Sequence, residues 1–198
     1  MQRSIVAFVP GSSALVDRQL IEQAQRGDRN AYEALARASA SRLYRTAYRI
    51  VRDADRADDA VQQTLVAIWR ELPSLRDPDR FEAWTYRLVA RFCLTDSRRA
   101  RRTGVREISI DERMPASSDA YAATDLRDQL ERALGELSPE HRVVVVLHHY
   151  SGLSIGEIAE ILGVPYGTVG SRLHYATRAL RASIAAGDRS PVTGGQPA

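Results

Sequence analysis

Thr168, Ser171, Arg172 and Arg178 belong to a stretch that opens LSIGEIAEILGVPYGTVGSRL at Leu153, and no acid stands between Glu160 and Asp188. At about 100° per residue, Val169, Leu173, Ala176 and Leu180 fall on one side of a helix. Gly167, Ser171, His174 and Arg178 fall opposite, with Thr168, Arg172 and Tyr175 at the flanks. The polar side has the chemistry of binding. Arginine forks grip phosphate or read guanine, hydroxyls add less selective contacts, and a small N-terminal end lets a helix enter the major groove. A second basic block runs from Arg87 to Arg106, with seven arginines and one acid, Asp96. Phe81 and Trp84, beside Arg87, Arg91, Arg98 and Arg99, would give unpaired bases a stacking platform. The same two aromatics share a helical side with Leu88 and equally read as core.

Other reactive groups point to less. Asp55, Asp58 and Asp59 stand at i, i+3 and i+4, where like charges repel on a helix. A basic partner would relieve that repulsion, and so would Mg²⁺ or plain solvation, but no second carboxylate cluster completes a metal site. His148 and His149 are neighbours and diverge on a helix, and His141 lies two turns from His149, so none of these pairs has chelating spacing. Cys93, the one cysteine, sits between Phe92 and Leu94 and reads as a buried thiol; no histidine near it or Asp96 completes a nucleophile set. No glycine-rich phosphate loop is present. The sequence therefore predicts no catalytic residue, no metal and no cofactor.

The elements that must position these groups are all helical. The pattern has no strand-like alternation, and it predicts an all-α chain of two small helical domains joined by an acidic, flexible linker. The boundaries expected are a loose segment over 1–16, a helical domain over 17–103, a linker over 104–123, a helix-turn-helix domain over 124–185 and a disordered tail over 186–198. In the first domain, Val61, Leu65, Ile68, Trp69 and Leu72 form a stripe that predicts burial of Trp69, and Pro73 ends that helix. The linker VREISIDERMPASSDAYAA holds four acids and no period. In the second domain Leu126, Leu130, Ala133, Leu134 and Leu137 form the first stripe, and Ser138-Pro139 caps the next helix. Ser154 and Glu157 form a capping-box pattern, and Gly163-Val164-Pro165 turns the chain steeply into the last helix.

The chain has 198 residues, a net charge of +3 and 28 basic residues, all arginine. The mild overall charge argues little; its distribution into basic and acidic blocks argues more. The longest aliphatic run, Val143 to Leu147, is too short to cross a bilayer, and no signal-peptide pattern opens the chain, so a cytoplasmic location without membrane insertion is expected.

Pro139-Glu140, the run Leu153 to Ala159 and the run Thr168 to Leu173 resemble region 4 of a group 4 (extracytoplasmic function) RNA polymerase sigma factor. Ala57-Asp58-Asp59-Ala60-Val61-Gln62 with Trp69 resembles region 2, and Phe81, Trp84, Ala90-Arg91, Asp96 and Arg98-Arg99 resemble its promoter-melting segment. The resemblance implies a non-enzymatic initiation factor, with bacterial RNA polymerase core, promoter DNA and an anti-sigma factor as partners. It implies that Thr168, Ser171, Arg172 and Arg178 hold the −35 element, and that Asp58, Asp59 and Gln62 face the polymerase. Phe81, Trp84, Arg87, Arg91, Asp96, Arg98 and Arg99 would lie where the −10 element is opened. Gly170, Tyr175 and Thr177 replace positions often basic in the family, which implies few phosphate contacts and weak DNA binding by the free chain. Without the resemblance, a freestanding helix-turn-helix repressor or activator is the next reading, and a helical Mg²⁺-dependent enzyme a distant third.

Overall fold

The computed structural model describes residues 17–102 and 121–187, with side chains described from 17 to 100 and 128 to 186. The expected linker lies outside the described residues except at its end, where a helix has already begun at Tyr121. No strand occurs among the described residues.

Four helices build the first domain: α1 (Arg18–Gln25), α2 (Arg29–Val51), α3 (Ala54–Glu71) and α4 (Phe81–Arg102). Aspartates start three of them. Asp17, Asp28 and Asp53 each accept from backbone N–H groups of the first turn, which satisfies donors that a helix leaves open. Arg52 ends α2 in the left-handed conformation, at φ 60°. Short 3₁₀ turns at Leu72–Ser74 and Pro78–Arg80 lead from α3 into α4.

Packing departs from expectation on α3. Ala57, Ala60, Val61, Thr64, Ala67 and Ile68 are buried, whereas Trp69 is 46% exposed. Spacing by three and four from Leu65 and Leu72 makes Trp69 look like core. The buried side is in fact lined by alanines, whose small side chains bring α3 close to α2 and α4, and Trp69 turns away from it. Leu130 likewise leaves its predicted stripe and is 40% exposed, while Ala133, Leu134 and Leu137 are buried.

The second domain holds α5 (Tyr121–Glu136), α6 (Pro139–Val145), one π turn (Val146–Tyr150), α7 (Ile155–Leu162) and α8 (Tyr166–Gly187). Its helices do not stand apart from the first domain. Val143, Val144, Val146 and Leu147 join the large apolar core that runs through α1–α4, while Val145 joins a smaller core with Ala133, Leu134, Leu137, Ala176 and Leu180. The valine run is apolar on all sides, so it is buried on all sides. It is the hinge plate between two cores.

Candidate nucleic-acid interface

The helix-turn-helix is built by local chemistry. The Ser154 hydroxyl accepts from the Glu157 N–H, and a Glu157 carboxylate oxygen accepts from both the Ser154 N–H (2.8 Å) and the Ser154 hydroxyl (2.7 Å). These bonds hold the Glu157 carboxyl below its ordinary range, the hydroxyl first and the backbone second. Gly163 closes α7 at φ 64°, a left-handed position that suits glycine. The Pro165 carbonyl accepts from the Thr168 N–H (2.9 Å) and the chain re-enters a helix.

On α8 the inward side is Val169, Ala176 and Leu180, all buried, with Leu173 half-buried. Ser171, His174 and Arg178 are exposed, and Thr168 and Arg172 are partly so. The expected site residues therefore share one solvent-facing side. Ser171 also donates to the Thr168 carbonyl (3.0 Å). Tyr175 is exposed but leans on His141, ring centroids 4.7 Å apart.

On α4 the helix sorts the predicted residues into two groups. Trp84, Arg87, Arg91 and Arg98 fall within an arc of about 60°; Trp84 is half-buried and the arginines are exposed. Arg99, also exposed, sits beside that arc. Phe81 is only 1% exposed and leans on Trp84, centroids 6.1 Å apart. Asp96 lies on the far side and receives the Arg56 Nε at 2.5 Å. Neither Phe81 nor Asp96 presents a surface to a nucleic acid here: one braces the tryptophan, the other ties α4 to the start of α3. Cys93 is buried, and burial pushes its thiol up to about 12, which keeps it protonated and unreactive at neutral pH.

Asp55, Asp58, Asp59 and Gln62 are all exposed on α3, and no group of acids, histidines or cysteines with metal-holding geometry occurs among the described residues. Val66, 49% exposed, and Trp69 continue this face. Tyr32 props Trp69 edge-on, centroids 4.7 Å apart, and donates its hydroxyl to the Leu65 carbonyl (2.8 Å). The face is thus acidic at one end and apolar at the other. The spacing 59, 62, 66, 69 carries this signal, but a core stripe read from large side chains hides it.

A cluster without any sequence signal joins the halves. Arg142, 1% exposed, donates to the carbonyls of Leu137 (2.7 Å), Gly135 (3.2 Å) and Ile50 (2.9 Å). Arg49 and Arg52 both pair with Glu131, and Arg49 stacks on Tyr150, 3.7 Å from the ring centre. Multiple carbonyl bonds are what make a buried guanidinium tolerable.

Comparison with known proteins places both halves. Residues 35–103 match the family model "Sigma-70 region 2" and residues 127–180 match "Sigma-70, region 4". The chain is 38% identical over 153 residues to ECF RNA polymerase sigma factor SigL of Mycobacterium tuberculosis, covering 72% of this chain and 82% of that one. It is 25% identical over 179 residues to ECF RNA polymerase sigma factor SigW of Bacillus subtilis, covering 84% and 96%. Among solved structures it is similar to CnrH bound to the cytosolic domain of CnrY (29% identity, 86% of this chain and 98% of that one, TM-score 0.61). It is also similar to the sigma factor RpoE bound to the anti-sigma factor NepR from Bartonella quintana (25%, 78% and 96%, TM-score 0.66). With the two regions in order on one chain and a relative this similar across most of its length, the chain belongs to the extracytoplasmic function sigma factors of the sigma-70 family.

Proposed function

We propose that this chain binds the core of bacterial RNA polymerase and directs it to promoters. The chain recognises and opens DNA, and the polymerase makes the RNA. In this reading α8 grips the −35 element through Thr168, Ser171, Arg172 and Arg178. The row Trp84, Arg87, Arg91 and Arg98, flanked by Arg99, captures the opened −10 strand. Phe81 and Asp96 act behind it as supports. Asp58, Asp59 and Gln62 meet a basic surface of the polymerase, and Val66 and Trp69 extend that contact. An anti-sigma factor, the kind of partner named for the RpoE relative, is the expected regulator.

The observation that carries the reading is the pair of exposed arginine-bearing faces on one chain. One lies on a capped helix-turn-helix suited to duplex DNA, the other beside an aromatic suited to unpaired bases. Run-off transcription with core polymerase on a library of genomic promoter fragments tests it. Start sites that depend on this chain, and that weaken with Arg172→Ala or Arg178→Ala, are expected. No dependent start site sinks the reading; tight binding to a palindromic duplex without polymerase would move the chain to the freestanding regulators.

A further inference from the structure

The two domains are clasped at three points, and the clasp covers part of the surface assigned above to DNA. The first point is Arg142, which belongs to the second domain yet donates to the Ile50 carbonyl at the C-terminal end of α2. The second is Glu131 on α5, which receives Arg49 and Arg52 from α2; the three side chains are 17%, 9% and 12% exposed. The third is the seam between α4 and α7. A groove of about 170 Å³ there is walled by Trp84 and Arg87 on one side and by Glu157, Glu160 and Ile161 on the other. Arg80 and Glu160 stand 3.9 Å apart at its edge.

The geometry points to an autoinhibitory contact: α7 of the helix-turn-helix domain closes over the Trp84 edge of α4, and the Arg49–Arg52–Glu131 cluster latches it shut. This rests on the reading of α4 as the strand-capturing helix. Bases that stack on Trp84 need the space that Glu157, Glu160 and Ile161 occupy, and two carboxylates facing that space repel a phosphate backbone. Ser171 and Arg178 stay exposed, so the closed form silences strand capture and leaves the duplex-reading helix open. Residues 103–120 are 18 in number, a contour of up to about 60 Å. The second domain can therefore move away without unfolding. A surface that binds only the open form, such as the polymerase, shifts the chain towards it by differential affinity.

The test uses the full chain. Glu131→Arg turns two attractive pairs into repulsions while touching neither apolar core. Small-angle X-ray scattering should show a larger radius of gyration for this variant than for wild type, and a partial return in Glu131→Arg/Arg52→Glu. Glu160→Arg, a largely exposed position at the far end of the seam, should open the chain independently. Binding of a labelled oligo-dT strand is the second measurement. If about a tenth of the wild-type chain is open, opening all of it tightens the apparent Kd about tenfold. Adding Trp84→Ala should remove that gain. Unchanged scattering in both Glu131→Arg and Glu160→Arg overturns the latch. A gain in oligo-dT binding that survives Trp84→Ala reflects added charge and overturns the occlusion. Failure of the wild-type chain to start transcripts with core polymerase sinks the functional reading, while the scattering and oligo-dT results still decide the latch.

Discussion

The Arg142 guanidinium donates to the Ile50 carbonyl at 2.9 Å, across 92 residues of chain. The same group closes the carbonyls of Gly135 and Leu137 in its own domain. One buried cation thus finishes α2 in the first domain and the α5–α6 turn in the second. Arg142→Ala should destabilise the chain by about 3–5 kcal/mol, because three buried carbonyls lose their donor. Urea unfolding followed by circular dichroism measures it. Arg142→Lys should recover only part of the loss, since an ammonium cannot reproduce a planar fork. A loss below about 1 kcal/mol for Arg142→Ala would show that water replaces the guanidinium.

Trp84 and Phe81 should fail in different ways. Trp84 is half-buried with arginines along its side, so Trp84→Ala should reduce promoter opening more than closed-complex formation. Removal of a stacked base contact costs about 1–3 kcal/mol, a drop of roughly fivefold to a hundredfold in open complex. Permanganate reactivity of promoter thymines, set beside a footprint, separates the two steps. Phe81 is core, so Phe81→Ala should lower stability by about 3–5 kcal/mol and weaken both steps together. Equal opening by wild type and Trp84→Ala would count against the stacking role.

The exposed end of α3 gives a third expectation. Val66 and Trp69 project beyond Asp59 and Gln62. Trp69→Ala should weaken association with core polymerase by about 2 kcal/mol, in the range of interface aromatics. Its thermal stability should change little, because the side chain is half outside. Competition with a fluorescent control initiation factor for core enzyme reads the affinity. Unchanged competition with unchanged stability would remove Trp69 from the interface.

Acid should loosen the start of α7. Hydrogen bonds from Ser154 depress the Glu157 carboxyl below its ordinary 4.5. Its contribution is complete above that value and is lost as pH falls through the lower, folded one. The group is partly exposed, so the loss should be about 1 kcal/mol or less. Glu157→Gln keeps an acceptor but not the charge, and its stability should fall less steeply below about pH 4.5. Parallel pH profiles of wild type and Glu157→Gln, taken from urea midpoints, would refute the assignment.

Much of this protein is local, and local features are legible in a linear chain. The capping box at Ser154 and Glu157, the left-handed glycine at 163 and the apolar side of α8 depend on neighbours within a few residues. Spacing alone is enough to predict them. The all-α class and the arginine face of α8 follow from the same periodicity. The sorting of α4 does not follow so simply. Its period puts Asp96 opposite Arg87, but only packing shows that Arg56 waits there. Trp69 was hidden by its size: a large apolar side chain weighs more in a stripe than the alanines that line the true core. The clasp was out of reach for a different reason. Arg142, Glu131, Arg49 and Arg52 count as polar wherever spacing is scored, and their partners lie 79 or more residues away or are backbone carbonyls. The order and type of the helices were settled by the sequence. Which charges were worth burying, and therefore how the two halves meet, was decided only when tertiary packing removed water from around them.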